Sequence, residues 1–202
     1  MIAVVDYGVG NLFSLRCSLE AIGEKAVITR DKEVITGSDH VILPGVGAFG
    51  DALAKLKETG MFDLMREIAE EGKPMLGICV GMQLLFEKDL EFGEHEGLSL
   101  LPGIVDAIEP RLTRKLDIPQ MGWNALKYTK ASPIFEGIEE GTHMYFVHSY
   151  AARDCESVTT AACEYEIDLT AAVQKDNIFG TQFHPEKSGP AGLKLLKNFC
   201  TL

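Results

Sequence analysis

The chain has 202 residues, of which 46% are hydrophobic and 24% charged; this composition fits one globular domain, residues 1–202, with a full core and no low-complexity tract. A formal net charge of −11 argues against a general nucleic-acid or anionic-membrane surface, although Arg111, Arg114 and Lys115 form a local basic patch. The five cysteines are odd in number and none are spaced as CxxC. Met1 leads straight into an apolar strand, and no apolar run reaches membrane-spanning length, so neither a disulfide framework, a zinc knuckle, a signal segment nor a membrane span is expected, and a reduced, cytoplasmic setting is.

Ile2 to Val5 reads as a buried strand, followed by the turn Gly8-Val9-Gly10-Asn11. Leu12, Leu15, Leu19 and Ile22 then fall at helical spacing, with Gly23 as the stop. Ala26 to Thr29 and His40 to Leu43 read as strands, the second ending abruptly at Pro44-Gly45-Val46-Gly47. Asp51 to Lys57 and Phe62 to Glu71 read as helices, Pro74 to Ile78 as a strand, and Val80 to Glu87 as a helix. This alternation predicts an α/β fold with a mostly parallel sheet flanked by helices. From Gly103 onward the pattern changes to strands joined by short turns: Gly103 to Glu109, Trp123 to Tyr128, Met144 to Tyr150, Val158 to Tyr165, Thr170 to Gln174 and Ile178 to Phe183. Ala191 to Phe199 is the closing helix. An antiparallel extension inserted before the final strand and helix is the expectation.

Gly77-Ile78-Cys79-Val80-Gly81 joins a strand to a helix. It is the cysteine form of the nucleophile elbow, in which small residues two before and two after let neighbouring segments approach a sharply turned nucleophile. The following helix start favours a thiolate, and the N–H of Val80 is placed to meet a developing oxyanion. A buried structural cysteine is the commoner fate of a free thiol. The flanking glycines argue against it at Cys79, and it is retained for Cys17, Cys155, Cys163 and Cys200. A nucleophilic thiol needs a base and the base an orienter. His184 and Glu186, in Gln182-Phe-His-Pro-Glu186, fill both roles just past a predicted strand, with Pro185 expected to hold the chain extended between them. The glycines around Val46 allow its peptide to turn either way, so Val46 and Gly47 form a second candidate oxyanion element. His40 and His95 read as exposed loop residues. No metal and no cofactor are expected: Gly8-Val9-Gly10 lacks the third glycine of a dinucleotide fingerprint, and no His/Cys cluster has ligand spacing.

Gly77-Ile-Cys-Val-Gly-Met-Gln83, Pro44-Gly-Val-Gly47 and His184-Pro-Glu186 resemble the triad-type (class I) glutamine amidotransferases, whose flavodoxin-like fold agrees with the one read above. Asp6-Tyr-Gly-Val-Gly-Asn-Leu12, Met121-Gly-Trp-Asn124, Tyr145-Phe-Val-His-Ser-Tyr150 and Asn177 to Ser188 are similar to the branch that serves histidine biosynthesis. The resemblance implies glutamine as substrate, a glutamyl thioester on Cys79, and ammonia handed to a (β/α)8-barrel cyclase partner in a heterodimer. It also implies that Gln83 and Glu91 hold the glutamine head group and that His148, Ser149 and Tyr150 line its pocket. Asn11, Trp123 and Asn124 would lie at the partner interface. Gln120 stands where that branch commonly has His, and so lacks a titratable charge there. A family member with a different acceptor and a gamma-glutamyl hydrolase are the alternatives.

Overall fold

A computed structural model describes residues 1–202. Thirteen strands and six α-helices alternate through the first part of the chain and give way to strands in the second. Ile2–Val5 (β1), Ala26–Thr29 (β2), His40–Leu43 (β3), Met75–Ile78 (β4) and Ile178–Thr181 (β13) pair in parallel, in the order β2-β1-β3-β4-β13. Ile167–Lys175 (β12), Thr159–Tyr165 (β11), Gln120–Tyr128 (β8) and His143–His148 (β9) extend the same sheet antiparallel beyond β13, to nine strands in all. The expected parallel sheet with an antiparallel extension is therefore present. Strands β1, β3, β4 and β13 are buried at every position, as strands covered on both faces must be.

Helices Leu12–Ala21 (α1), Phe49–Glu58 (α3), Met61–Glu70 (α4) and Gly189–Phe199 (α6) cover the sheet. In α4 the buried residues are Met61, Leu64, Met65 and Ile68, an i, i+3, i+4, i+7 stripe that packs on the core. Each such side chain contributes about 1.5–3 kcal/mol by burial. No helix is long and apolar enough to cross a membrane.

Three elements depart from the sequence expectation. A short helix, Lys32–Thr36 (α2), lies between β2 and β3, and the Asp31 side chain accepts from the N–H groups of Glu33 and Val34 at its start; a cap of this kind is worth about 1 kcal/mol. The helix expected over Val80 to Glu87 is only Val80–Gln83 (α5), and Phe86–Asp89 is instead a strand (β5). The carbonyls of Leu84, Leu85 and Phe86 accept from the N–H groups of Leu98, Leu100 and Ser99. Tertiary donors thus replace the intrahelical ones, and packing overrides local propensity. The third is the expected strand Met144 to Tyr150. It breaks at Ser149, where the chain leaves β9 and enters Tyr150–Arg153 (β10) of a second sheet. That sheet, in the order β10-β7-β5-β6, also contains Leu101–Ala107 (β7) and the two-residue His95–Glu96 (β6).

His40, expected in an exposed loop, is buried in β3. Its Nε2 donates to the carbonyl of Leu202 and its ring meets Phe199 edge-on. Within the basic patch, Arg114 is bound to Glu166, whose carboxylate also accepts from the N–H and hydroxyl of Thr113.

Candidate active site

Strands β3, β4 and β13 run parallel and in register, Leu43 beside Gly77 and Ile78 beside Thr181. Their carboxyl ends therefore deliver Pro44–Gly47, Cys79 and Gln182–Glu186 to one edge of the sheet, where open α/β sheets gather ligands.

Cys79 itself has φ 55° and ψ −114°. A non-glycine residue in that region is strained, and it stays there only if its surroundings hold it. They do so through backbone contact. The Cys79 N–H donates to the Thr181 carbonyl at 2.7 Å. A Cβ on Gly81 would lie 1.9 Å from the Leu43 oxygen, one on Gly77 would lie 2.6 Å from the Gly81 oxygen, and one on Gly45 would lie 2.5 Å from the Gly81 nitrogen. Only glycine fits at these three positions, so the elbow and the Pro44–Gly47 turn are packed backbone to backbone. Tyr7 braces the same turn: its buried hydroxyl donates to the Pro44 carbonyl at 2.7 Å, and burial, with the nearby Cys79 charge, keeps the phenol protonated far above its usual range.

His184 follows β13 and is almost fully buried. Its Nδ1 donates to Glu186 Oε1 at 2.7 Å, and only 2% of either side chain is exposed. Pro185 does not hold the chain extended, as expected, but opens a 3-10 turn, Pro185–Lys187. A proline φ suits the first turn of a helix equally well, and the turn folds the carboxylate back to the ring. The His184 N–H donates to the Tyr145 carbonyl, and Ser188 Oγ donates to the His184 carbonyl while accepting from the Tyr145 N–H. The His184 pKa is raised to about 9. Burial opposes the charge, but the adjacent Cys79 and Glu186, the latter hydrogen-bonded to the ring, outweigh it. An imidazolium beside a thiolate, oriented by a carboxylate, is a pair able to attack a carbonyl and protonate the leaving group.

Cys79, Val80, Val46, Gly47, Gln83, Glu91, His148, Ser149, Tyr150 and His184 all line one cleft of about 410 Å³, together with Pro119, Val147 and Lys187. Gln83 Nε2 donates to the Tyr150 carbonyl and to Gln182 Oε1. His148 donates from Nδ1 to the Tyr150 carbonyl at 2.8 Å, so its Nε2 is an acceptor, buried and without a donor. Burial, with repulsion from His184, lowers the pKa of His148 to about 4 despite that bond, and the ring is neutral. Glu91 Oε2 accepts from the Phe49 N–H at the start of α3, at 2.6 Å, a favourable place for a carboxylate.

The other three sequence candidates lie outside this cleft. Asn11 lines a narrow cavity behind it, with Pro44, Gly45, Ile78, His184 and Glu186. Trp123 is 52% exposed and meets Tyr145 edge-on, and Asn124 donates to the Glu164 carbonyl. Among the residues of the quoted motifs that received no role from sequence reasoning are Tyr7, and Gln182, whose Nε2 lies 3.8 Å from Cys79 Sγ. His95, expected to be an exposed loop residue, donates from Nε2 to the Glu91 carbonyl at 3.0 Å. No spacing rule marks Tyr7 or Gln182, because their partners come from distant segments.

The model of the class-I glutamine amidotransferase family matches residues 3–202. The imidazole glycerol phosphate synthase subunit HisH of Sulfurimonas denitrificans is 50% identical, over 98% of this chain and 97% of that protein. The subunit of the same name from Geobacillus thermodenitrificans is 46% identical, over 98% and 94%, and that from Wolinella succinogenes is 46% identical over the full length of both. A solved glutamine amidotransferase superposes with a TM-score of 0.76 at 23% identity over 99% of this chain and 97% of that one, and the PurLQS structure from Thermotoga maritima with 0.74 at 21% over 99% and 97%. At those identities the two structures speak to the fold alone.

Proposed function

This chain belongs to the class-I glutamine amidotransferases, and from that membership we propose that it is the glutaminase subunit of an imidazole glycerol phosphate synthase, acting in histidine biosynthesis. The observation that carries the chemical reading is the buried His184–Glu186 pair at 2.7 Å in the same cleft wall as a strained Cys79.

The Cys79 thiolate attacks the carboxamide carbon of glutamine. The oxyanion takes hydrogen bonds from the Val80 N–H and, once the peptide between the Gly45 and Gly47 hinges turns, from the Val46 N–H. His184 gives its proton to the leaving nitrogen and ammonia departs, leaving a glutamyl thioester. Water then attacks the thioester, neutral His184 takes a proton from it, and the Cys79 thiolate is expelled with release of glutamate. Glu186 holds the imidazole tautomer throughout. Gln83 and Glu91 receive the glutamine head group, and His148, Ser149 and Tyr150 line its pocket.

The relatives' shared name makes each of them a subunit, and this chain likewise acts with a partner. The proposed partner is a (β/α)8-barrel cyclase, which joins the ammonia to a ribulosyl-aminoimidazole intermediate and yields imidazole glycerol phosphate and an aminoimidazole carboxamide ribonucleotide. Asn11, Trp123 and Asn124 are the proposed contacts, and exposed Met121 and Trp123 on one strand support that placement. Five free cysteines fit a reducing compartment, the cytoplasm. Co-purification with the cyclase followed by a glutamine-dependent assay tests this reading. The isolated chain is expected to hydrolyse glutamine slowly and the liganded complex much faster; equal rates would refute the coupling.

A further inference from the structure

Glu91 lines the cleft from a two-residue turn after β5, between Asp89 and Phe92. Phe92 is 87% exposed with φ 54°, so its side chain does not pack the turn down. The Leu90 N–H donates to the Val105 carbonyl and the Phe49 N–H to the Glu91 carboxylate, and two side chains hold the Glu91 peptide between them. The Glu91 N–H donates to Asp89 Oδ1 at 2.6 Å, and the Glu91 carbonyl accepts from His95. Asp89 is fully buried, facing Val105 in β7 and His95 in β6, and its Oδ2 has no partner. No other side chain accepts from this turn's N–H groups.

We infer that Asp89 is a positioning residue for glutamine binding: through Oδ1 it fixes the turn that holds the Glu91 carboxylate at the cleft. This rests on the proposed role of Glu91 in receiving the glutamine head group, whose α-ammonium is the part a carboxylate would accept from. Burial pushes the Asp89 carboxyl up to about 7, against the lowering effect of the Glu91 N–H; the Glu91 and Asp106 charges raise it further and His95 lowers it. Near neutrality the group is therefore partly protonated, with one oxygen accepting and the other carrying a hydrogen. Asparagine imitates that form, and alanine does not.

Alkylation of Cys79 by two reagents separates positioning from damage. The chloroketone analogue of glutamine retains the α-ammonium and α-carboxylate, and iodoacetamide has neither. Asp89→Ala is expected to slow chloroketone labelling at sub-saturating reagent roughly tenfold, the effect of about one lost hydrogen bond, and to leave iodoacetamide labelling within about twofold. Asp89→Asn is expected to restore the chloroketone rate. In turnover the same effect should appear as a raised KM for glutamine at nearly constant kcat. The inference is overturned if Asp89→Ala labels at the wild-type rate while Glu91→Ala is slow, if both reagents slow equally, or if asparagine fails to rescue. If Glu91→Ala has no effect, or the wild type resists the chloroketone, the underlying reading of the pocket fails instead.

Discussion

The two walls of the cleft are built differently. The wall carrying Cys79 is backbone against backbone: Gly45, Gly77 and Gly81 leave no room for a Cβ between the β3 turn and the elbow. The wall carrying Glu91 and Ser149–Tyr150 is anchored on the second sheet and trimmed by single side-chain bonds, from Asp89 to the Glu91 N–H and from His148 and Gln83 to the Tyr150 carbonyl. A steric lock of this kind holds the reacting atoms in one arrangement, as bond-making requires. A wall of individual hydrogen bonds tolerates adjustment and suits substrate selection and response to a partner. Perturbing the first wall should abolish chemistry or folding, and perturbing the second should shift affinity and pH response.

The largest expected effect is at Cys79, the proposed nucleophile. Cys79→Ala should lower the glutaminase rate by about 10⁴-fold or more with the denaturation midpoint unchanged or raised, because it removes a thiol and only part of the strain. A variant retaining a tenth of the activity would contradict the assignment. Glu186→Gln should lower kcat about 10²–10⁴-fold, since an amide can present its N–H group to Nδ1 and select the wrong tautomer; steady-state kinetics on a folded variant is the check. Gly81→Ala should destabilise the protein by about 3 kcal/mol or more, because the new Cβ meets the Leu43 carbonyl rather than a movable side chain. Urea denaturation with little loss of stability would show that the elbow wall is softer than described.

The second wall supplies a smaller, pH-dependent effect. His148 has its pKa lowered from 6.5 to about 4. Its folded site prefers the neutral ring, so its contribution to stability is fully present above about pH 6.5 and is lost as the pH falls toward 4. Over that window the wild type should lose roughly 1–3 kcal/mol from this group. The stability–pH curve of His148→Gln should be flatter there by that amount, and superimposable curves would remove His148 from the account.

This contrast also decides what could be read from the sequence. The glycine-packed wall was legible: close backbone approach demands Gly at fixed spacings from Cys79, and the parallel sheet announces itself as short apolar runs ending in turns. His184 and Glu186 were legible as a local pair, although the geometry between them is a 3-10 turn and not an extended link. The lining of the second wall, Glu91 and His148 to Tyr150, was named only through the family resemblance, and what supports it was not legible. Tyr7 and Gln182 look like ordinary residues in sequence because each works through a partner in a distant segment; Asp89 does so because its burial comes from pairing with β7, although the N–H it holds is only two residues on. For the same reason the Val80 to Glu87 helix was overextended: carbonyls 84–86 are satisfied by residues 98–100, and local propensity carries no trace of those donors. The change of sheet at Ser149 was hidden in a continuous strand-like run whose last residues are the ones that line the cleft.

The most direct test of the central claim is to trap the reaction on the protein. The complex with the proposed cyclase partner is mixed with glutamine, quenched in acid during turnover and digested, and its cysteine peptides are weighed. A glutamyl group is predicted on the Cys79 peptide alone and absent from Cys79→Ser, at a level set by thioester formation against thioester hydrolysis. A complex that turns over glutamine with no adduct on Cys79, or with the adduct on another cysteine, would contradict the account.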